Sequence, residues 1–356
     1  MIYINLKYLL LLFLVLYIVS CEKDNPIKTD NHKNLTDCPP PVDHGYGPKE
    51  PSYYENRQRI SPKLDKLAFV LGESNLEILD LIKGTTQVID IQSKLPSNVK
   101  FIAVYDPIWC PYDNNKLLVT CVTSTDTVGN GKNFIWGVNV YAFSLDGNEF
   151  ANFTPKIFGK AGAINGINVL NWLHGSSPSN DTIHLSPGNL YIPQLDLLIK
   201  NAIKRNYISE SPDGNYFFGH IFNPSNTYGE FTVNDFNFHF SDSISVLDHI
   251  SWSPDSKKIA ISVLPRDTTT NSMYMRNREI WIIDVEKLLM TKHAIALVKI
   301  INIRALFCKY AFSGLWAEYI SNTSLAVTMH KDGDDFAPIW EITDDGKLVK
   351  QLTLKP

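Results

Sequence analysis

The 356-residue sequence has no surplus of positive charge, since 33 basic side chains stand against 37 acidic ones. A chain without spare Lys and Arg has little with which to displace counterions from phosphates, which argues against a nucleic-acid partner. Cys-x-x-Cys, His-x-His and His-Glu-x-x-His are all missing, so none of the nine histidines stands in a familiar metal-ligand spacing. No Gly-x-Ser-x-Gly nucleophile elbow occurs. Only one apolar segment could meet a bilayer, which excludes a multi-span membrane protein. The rest is an ordinary globular composition, 44% apolar and 20% charged, too apolar for a disordered chain.

The single apolar run, Tyr8 to Val19, follows a lone Lys7. At about 12 residues it is too short to span and has the length of a secretory signal. It ends in Ile18-Val19-Ser20-Cys21 and turns abruptly polar at Glu22-Lys23-Asp24. This resembles the lipobox of bacterial lipoproteins, in which the cysteine is acylated and becomes the first residue after cleavage. The resemblance implies a signal peptide over 1–20, a lipid on Cys21, and a lipid-anchored place in the bacterial cell envelope at the outer membrane, facing the periplasm or the cell surface. Each buried CH₂ contributes about 0.8 kcal/mol, so more than one acyl chain gives a stable anchor. Residues 21–55 carry Pro26, Pro39, Pro40, Pro41, Pro48 and Pro51 with no apolar periodicity. That density of proline predicts an extended tether.

From residue 56 to 356 the sequence repeats. Ser251-Trp252-Ser253-Pro254-Asp255-Ser256 leads into Lys258-Ile259-Ala260-Ile261, and Ser209-Glu210-Ser211-Pro212-Asp213-Gly214 into Tyr216-Phe217-Phe218. The physics is that of a tight hairpin turn: Pro presets φ, Asp bonds back to the backbone and Gly supplies positive φ. A degenerate copy is Ile60-Ser61-Pro62-Lys63-Leu64-Asp65, and looser ones begin at Trp109, Trp172 and Trp316. After each comes an alternating apolar phrase such as Leu76–Asp80, Val140–Phe143, Ile280–Asp284 or Ile339–Ile342, which reads as a strand. Copies starting near 60, 109, 172, 210, 252 and 316 predict an all-β fold, a six-bladed β-propeller of four-stranded blades. The repeated Trp residues are expected to pack between blades. The Ser-Pro-Asp-Gly phrase followed by Ile-Ala-Ile and Ile-Trp-Ile-Ile-Asp resembles the TolB-like, WD-type propeller repeat. TolB carries an α/β domain ahead of its propeller; here a proline-rich stretch stands in that place.

The longest connections between second and third strands are Ser124–Phe134 and Leu264–Arg278. Insertions gathered on one face mark a binding face, and Arg266, Tyr274, Arg276 and Arg278 are its expected contacts. First strands start at that same mouth and line the channel, where Tyr105, Asp106 and His249 are the polar candidates. Asp106 and His249 are the residues that could serve acid–base chemistry on a glycan, the alternative to a binding role. Asp332, Asp334 and Asp335 offer oxygen ligands but not the length or pattern of an EF-hand loop, and a hairpin turn accounts for them. No cofactor is expected; the partners expected are the membrane, through the lipid, and an envelope protein or glycan. Setting Cys21 aside, Cys38, Cys110, Cys121 and Cys308 allow three pairings. A hairpin centred near Asp113-Asn114 puts Cys110 opposite about residue 118, so Cys121 is out of register and free buried thiols are expected.

Overall fold

A computed structural model describes residues 53–72, 75–97, 99–126, 134–147, 149–152, 169–173, 182–185, 189–192, 195, 197–199, 207–221, 230–233, 236–239, 244–265, 279–291, 297–303, 310–331, 334 and 336–354. All of them belong to one compact unit spanning Asn34–Pro356. Cys21, Cys38, Cys308, Arg266, Tyr274, Arg276, Arg278, Asp332 and Asp335 lie outside the described residues.

The described strands form six sheets. Their first strands are Tyr53–Ile60, Val99–Cys110, Val169–Leu173, Tyr207–Glu210, Ile244–Trp252 and Tyr310–Tyr319. In each sheet the next three major strands follow in chain order, each antiparallel to the one before. Every first strand lies against the first strand of the following sheet, and Tyr310–Tyr319 lies against Tyr53–Ile60. Antiparallel four-stranded meanders adjoining through their first strands are the arrangement of a β-propeller.

Three turns between first and second strands share one hydrogen-bond plan. The N–H of Ser61, Ser211 and Ser253 reaches the carbonyl five residues on, at 2.8, 2.8 and 2.9 Å. The residue three on returns its N–H to the serine carbonyl in each copy. That residue is Leu64, Gly214 or Ser256, with φ of 59°, 72° and 59°. Glycine takes this left-handed backbone freely, whereas Leu64 and Ser256 occupy it at a cost. The serine hydroxyl also bonds a carboxylate, Asp213 at 2.6 Å and Asp255 at 2.7 Å. The degenerate copy lacks the Asp two positions on and uses Asp65, four positions on, at 2.9 Å.

Apolar clusters sit between sheets, not within one. Ala68, Val70, Leu76 and Ile78 of the first sheet meet Trp109, Leu117, Val119 and Tyr141 of the second. Phe218 meets Trp252 and Ile261, and Ile280 and Ile282 meet Tyr319 and Val327. The seam between the chain's first and last described sheets joins Leu67, Phe69 and Leu79 to Ala326 and Ile339. A short strand, Phe336–Ala337, crosses that seam in parallel with Tyr53 and Tyr54, a pairing absent from the repeat pattern. Its position falls in the acidic connection that follows His330.

The second sheet corrects the expected cysteine register. Cys110 pairs with Asp113, and Leu118 faces Ile108. The hairpin closes at Pro111-Tyr112, and the register slips between Trp109, opposite Leu117, and Cys110, so that Asn114–Lys116 are passed over. Cys121 faces Val104 in this ladder, and both thiols are free and buried.

Candidate functional site

Four of the first strands bring charged or ionisable side chains to one place. Arg59 comes from Tyr53–Ile60, Asp106 from Val99–Cys110, His249 from Ile244–Trp252 and Glu318 from Tyr310–Tyr319. Arg59 grips Asp106 with a fork, Nη2 to Oδ2 at 2.9 Å and Nε to Oδ1 at 3.4 Å. Its Nη1 stands 3.3 Å from His249 Nδ1, and His249 Nε2 stands 2.8 Å from Glu318 Oε2. The other oxygen of Glu318 accepts the Ile60 N–H at 3.0 Å. Trp316 closes the cluster: its ring stacks on the His249 imidazole at 4.6 Å and 14°, and the Arg59 guanidinium lies 5.6 Å from its centroid.

The chemistry of the donors fixes the histidine's state. A guanidinium can only donate, so Nδ1 of His249 must accept. The ring proton therefore sits on Nε2 and is donated to Glu318. Burial, with the residue only 1% exposed, disfavours a charged imidazole, and the Arg59 cation adds to this. Together these outweigh the pull of Glu318 and Asp106 and hold His249 below its ordinary value of 6.5. His249 is a neutral imidazole with both nitrogens engaged.

The sequence singled out Asp106 and His249, and both belong to this cluster. Tyr105 lies on the same strand as Asp106. Asp334 is exposed. Among the described residues, no group of three or more His, Cys, Asp or Glu is placed to hold a metal ion. Arg59, Glu318 and Trp316 were missed. A signal existed: superposing the turn phrases puts Arg59 level with Ser209 and Ser251, each two residues before the turn serine. A channel position that is serine twice and arginine once is a candidate for a charged partner.

Beside the cluster lies a cavity of about 460 Å³. Its lining includes Arg59, Glu318, Trp109, Trp252, Ser209 and Glu210, together with four turn prolines. Those prolines belong to the turns joining first to second strands, so the cavity sits at the turn end of the channel. Pro265 and Glu279 stand at the opposite end of their strands from those turns.

No protein family and no functionally curated protein matches the chain by sequence. Among solved structures it is similar to TolB from Acinetobacter baumannii, at 14% identity over 67% of this chain and 52% of that one, with a TM-score of 0.40. It thus spans about half of that TolB chain. It is also similar to the β-propeller domain of Cps50 (Swd1) from Myceliophteria thermophila, at 12% identity over 77% of this chain and 93% of that one, TM-score 0.44. An oligogalacturonate lyase in complex with manganese is 11% identical over 83% of this chain and 78% of its own, TM-score 0.45.

Proposed function

We propose that the protein is a six-bladed β-propeller held at a bacterial membrane by an acylated Cys21, and that it serves as a binding module for an envelope protein or glycan. The support for the anchor is the short apolar run ending in Ile18-Val19-Ser20-Cys21 and the sharp polar turn after it. The support for six blades is the six-fold recurrence of the first-strand, turn and third-strand phrases, with six sheets among the described residues.

One observation carries binding over catalysis. A general base or acid must bring a free nitrogen within hydrogen-bond reach of its substrate. His249 has neither nitrogen free, because Arg59 donates to one and Glu318 accepts from the other. Asp106 is likewise committed to the Arg59 fork. A glycan-cleaving role at this cluster would have to dismantle the joint that ties four first strands together. Of the two channel ends, the turn end with its cavity is taken as the binding surface. The loop end, with Arg266, Tyr274, Arg276, Arg278 and Tyr105, is the competing one.

The test is affinity capture of the lipidated protein after mild cross-linking in its own cells, read by mass spectrometry. Ser209→Trp fills the turn-end cavity, and deletion within Leu264–Arg278 shortens the loop end. Loss of a stoichiometric envelope partner in Ser209→Trp supports the reading. Loss only in the shortened loop moves the binding surface to the other end. Turnover of an envelope glycan by the purified protein, abolished in His249→Gln with the fold kept, would replace binding with catalysis.

A further inference from the structure

Trp109 and Trp252 hold the same place in the repeat, each two residues before a turn proline, Pro111 or Pro254. Trp109 donates its indole N–H to the Arg59 carbonyl of the preceding sheet at 2.8 Å. Ser209 is level with Arg59 in the sheet before Trp252. Yet Trp252 Nε1 is buried with no partner. The residue is only 7% exposed, its ring stacks on Tyr216, and it belongs to the cavity wall. A buried N–H left unpaired destabilises the structure, and an acceptor brought by a ligand relieves it.

The other polar groups of the wall narrow the choice of ligand. Arg59 is held by Asp106 and His249, and Glu318 by the Ile60 N–H and His249. Glu210 is likewise not free. The Ser61 hydroxyl closes its own turn, taking the Lys66 N–H and donating to Asp65. Ser251 Oγ takes the Tyr319 N–H at 2.8 Å and keeps its own O–H to give. Among the described residues no bond engages the Ser209 hydroxyl. The unengaged groups are thus an indole N–H and two serine hydroxyls, all neutral and all on the fourth and fifth sheets. Around them the wall is apolar, with Ile60, Leu64, Ile108 and Ile250 beside the indoles and the turn prolines. Leu64 adds a second sign: its backbone is left-handed where other turns carry Gly214 and Ser256, and its side chain is 38% exposed. Strain under an exposed apolar side chain beside a cavity points to function.

Resting on the binding-module reading, we propose that this cavity receives an uncharged, apolar side chain of a protein ligand together with its peptide group. The ligand carbonyl accepts the Trp252 N–H, the ligand N–H meets Ser209 Oγ, and the side chain lies among Ile60, Leu64, Ile108 and Ile250. A peptide unit needs one donor and one acceptor, which the wall supplies. A sugar suits the wall poorly, because each ring brings several hydroxyls that weaken binding when buried unpaired. The volume of about 460 Å³ falls in the roughly 300–1,000 Å³ range of ligand sites.

The test uses the full chain in lipid nanodiscs, titrated calorimetrically with acetyl-Gly-Leu-Leu-Gly-amide against empty discs. The same peptide with serine for leucine, the same with lysine, and maltohexaose serve as comparisons. The expected result is saturable binding of the leucine peptide, at least about tenfold tighter than either other peptide. Trp252→Phe keeps an aromatic wall without the N–H and weakens that binding about fivefold. Ser209→Trp abolishes it. Leu64→Gly weakens it while raising thermal stability, an opposition that general damage to the fold does not produce, so the test survives if Trp252→Phe fails to fold. Equal binding of the peptides, no binding of the leucine peptide, unchanged affinity in Trp252→Phe, or competition by maltohexaose overturns the proposal. The cross-linked capture separates the two levels. A partner lost in Ser209→Trp while the leucine peptide does not bind keeps the binding module and discards the apolar ligand. No partner and no peptide binding discards both.

Discussion

Replacing Arg59 with methionine tests the reading of the channel cluster as a joint. The substitution keeps length and apolar stem but removes the fork on Asp106, the donor to His249 Nδ1 and the cation over Trp316. The side chains of Arg59 and Asp106 are 15% and 13% exposed, so the carboxylate left behind is poorly hydrated. Breaking a buried pair from one side costs about 3–5 kcal/mol, and the lost cation–π contact adds about 0.5–1 kcal/mol. Partial exposure of the pair places the expected loss near the low end, about 3 kcal/mol. Arg59→Lys keeps the charge without the fork and is expected to lose about half as much. Urea unfolding followed by tryptophan fluorescence reads this as a lower midpoint at unchanged slope. A loss under about 1 kcal/mol for Arg59→Met would refute the argument, since it is what a solvent-screened surface pair delivers.

His249 makes stability depend on pH. The fold holds the neutral imidazole, so the unfolded chain takes up this proton at a higher pH than the folded one. Stability is therefore full above 6.5 and falls as pH drops from 6.5 toward the lowered folded value, by at most about 1.4 kcal/mol per pH unit. His249→Gln flattens that slope in urea titrations at stepped pH. Leu64→Gly removes a left-handed strain that Gly214 does not suffer and is expected to raise stability by about 0.5–1 kcal/mol, read by thermal unfolding. Burial pushes the thiols of Cys110 and Cys121 up, so site-resolved mass spectrometry should find both unalkylated in the native protein and modified once it is unfolded.

The repeat was legible because its physics is local. The serine–proline turns, the left-handed position three residues on and the alternating third strands each lie within about ten residues of sequence, and their hydrogen bonds close inside the hairpin. Even the degenerate turn at Ser61 could be read, although its carboxylate, Asp65, comes from a different position. The cluster was only half legible. Asp106 and His249 drew notice as polar residues in apolar strands, but their partners are 47, 190 and 69 residues apart in sequence and meet only when the first strands adjoin. Nothing in a single strand announces that Arg59 will satisfy two of them. The Phe336–Ala337 pairing with Tyr53 and Tyr54 was hidden for the same reason, since it joins two segments nearly the length of the chain apart. The cavity's location was not foreseen either, because loop length points to the end where insertions gather, whereas this cavity is built from turn prolines and first-strand side chains.

The most direct test of the account is the protonation state of His249, observed by long-range ¹H–¹⁵N NMR on protein labelled at histidine nitrogen and assigned with His249→Gln. A channel cluster that binds strands and not substrates requires a neutral ring with its proton on Nε2 at neutral pH, still neutral when exposed histidines have become charged. A ring that titrates near 6.5, or one protonated on Nδ1 with Nε2 free, would mean that Arg59 and Glu318 do not hold it. His249 would then be available for proton transfer, and the binding reading of this channel would fall.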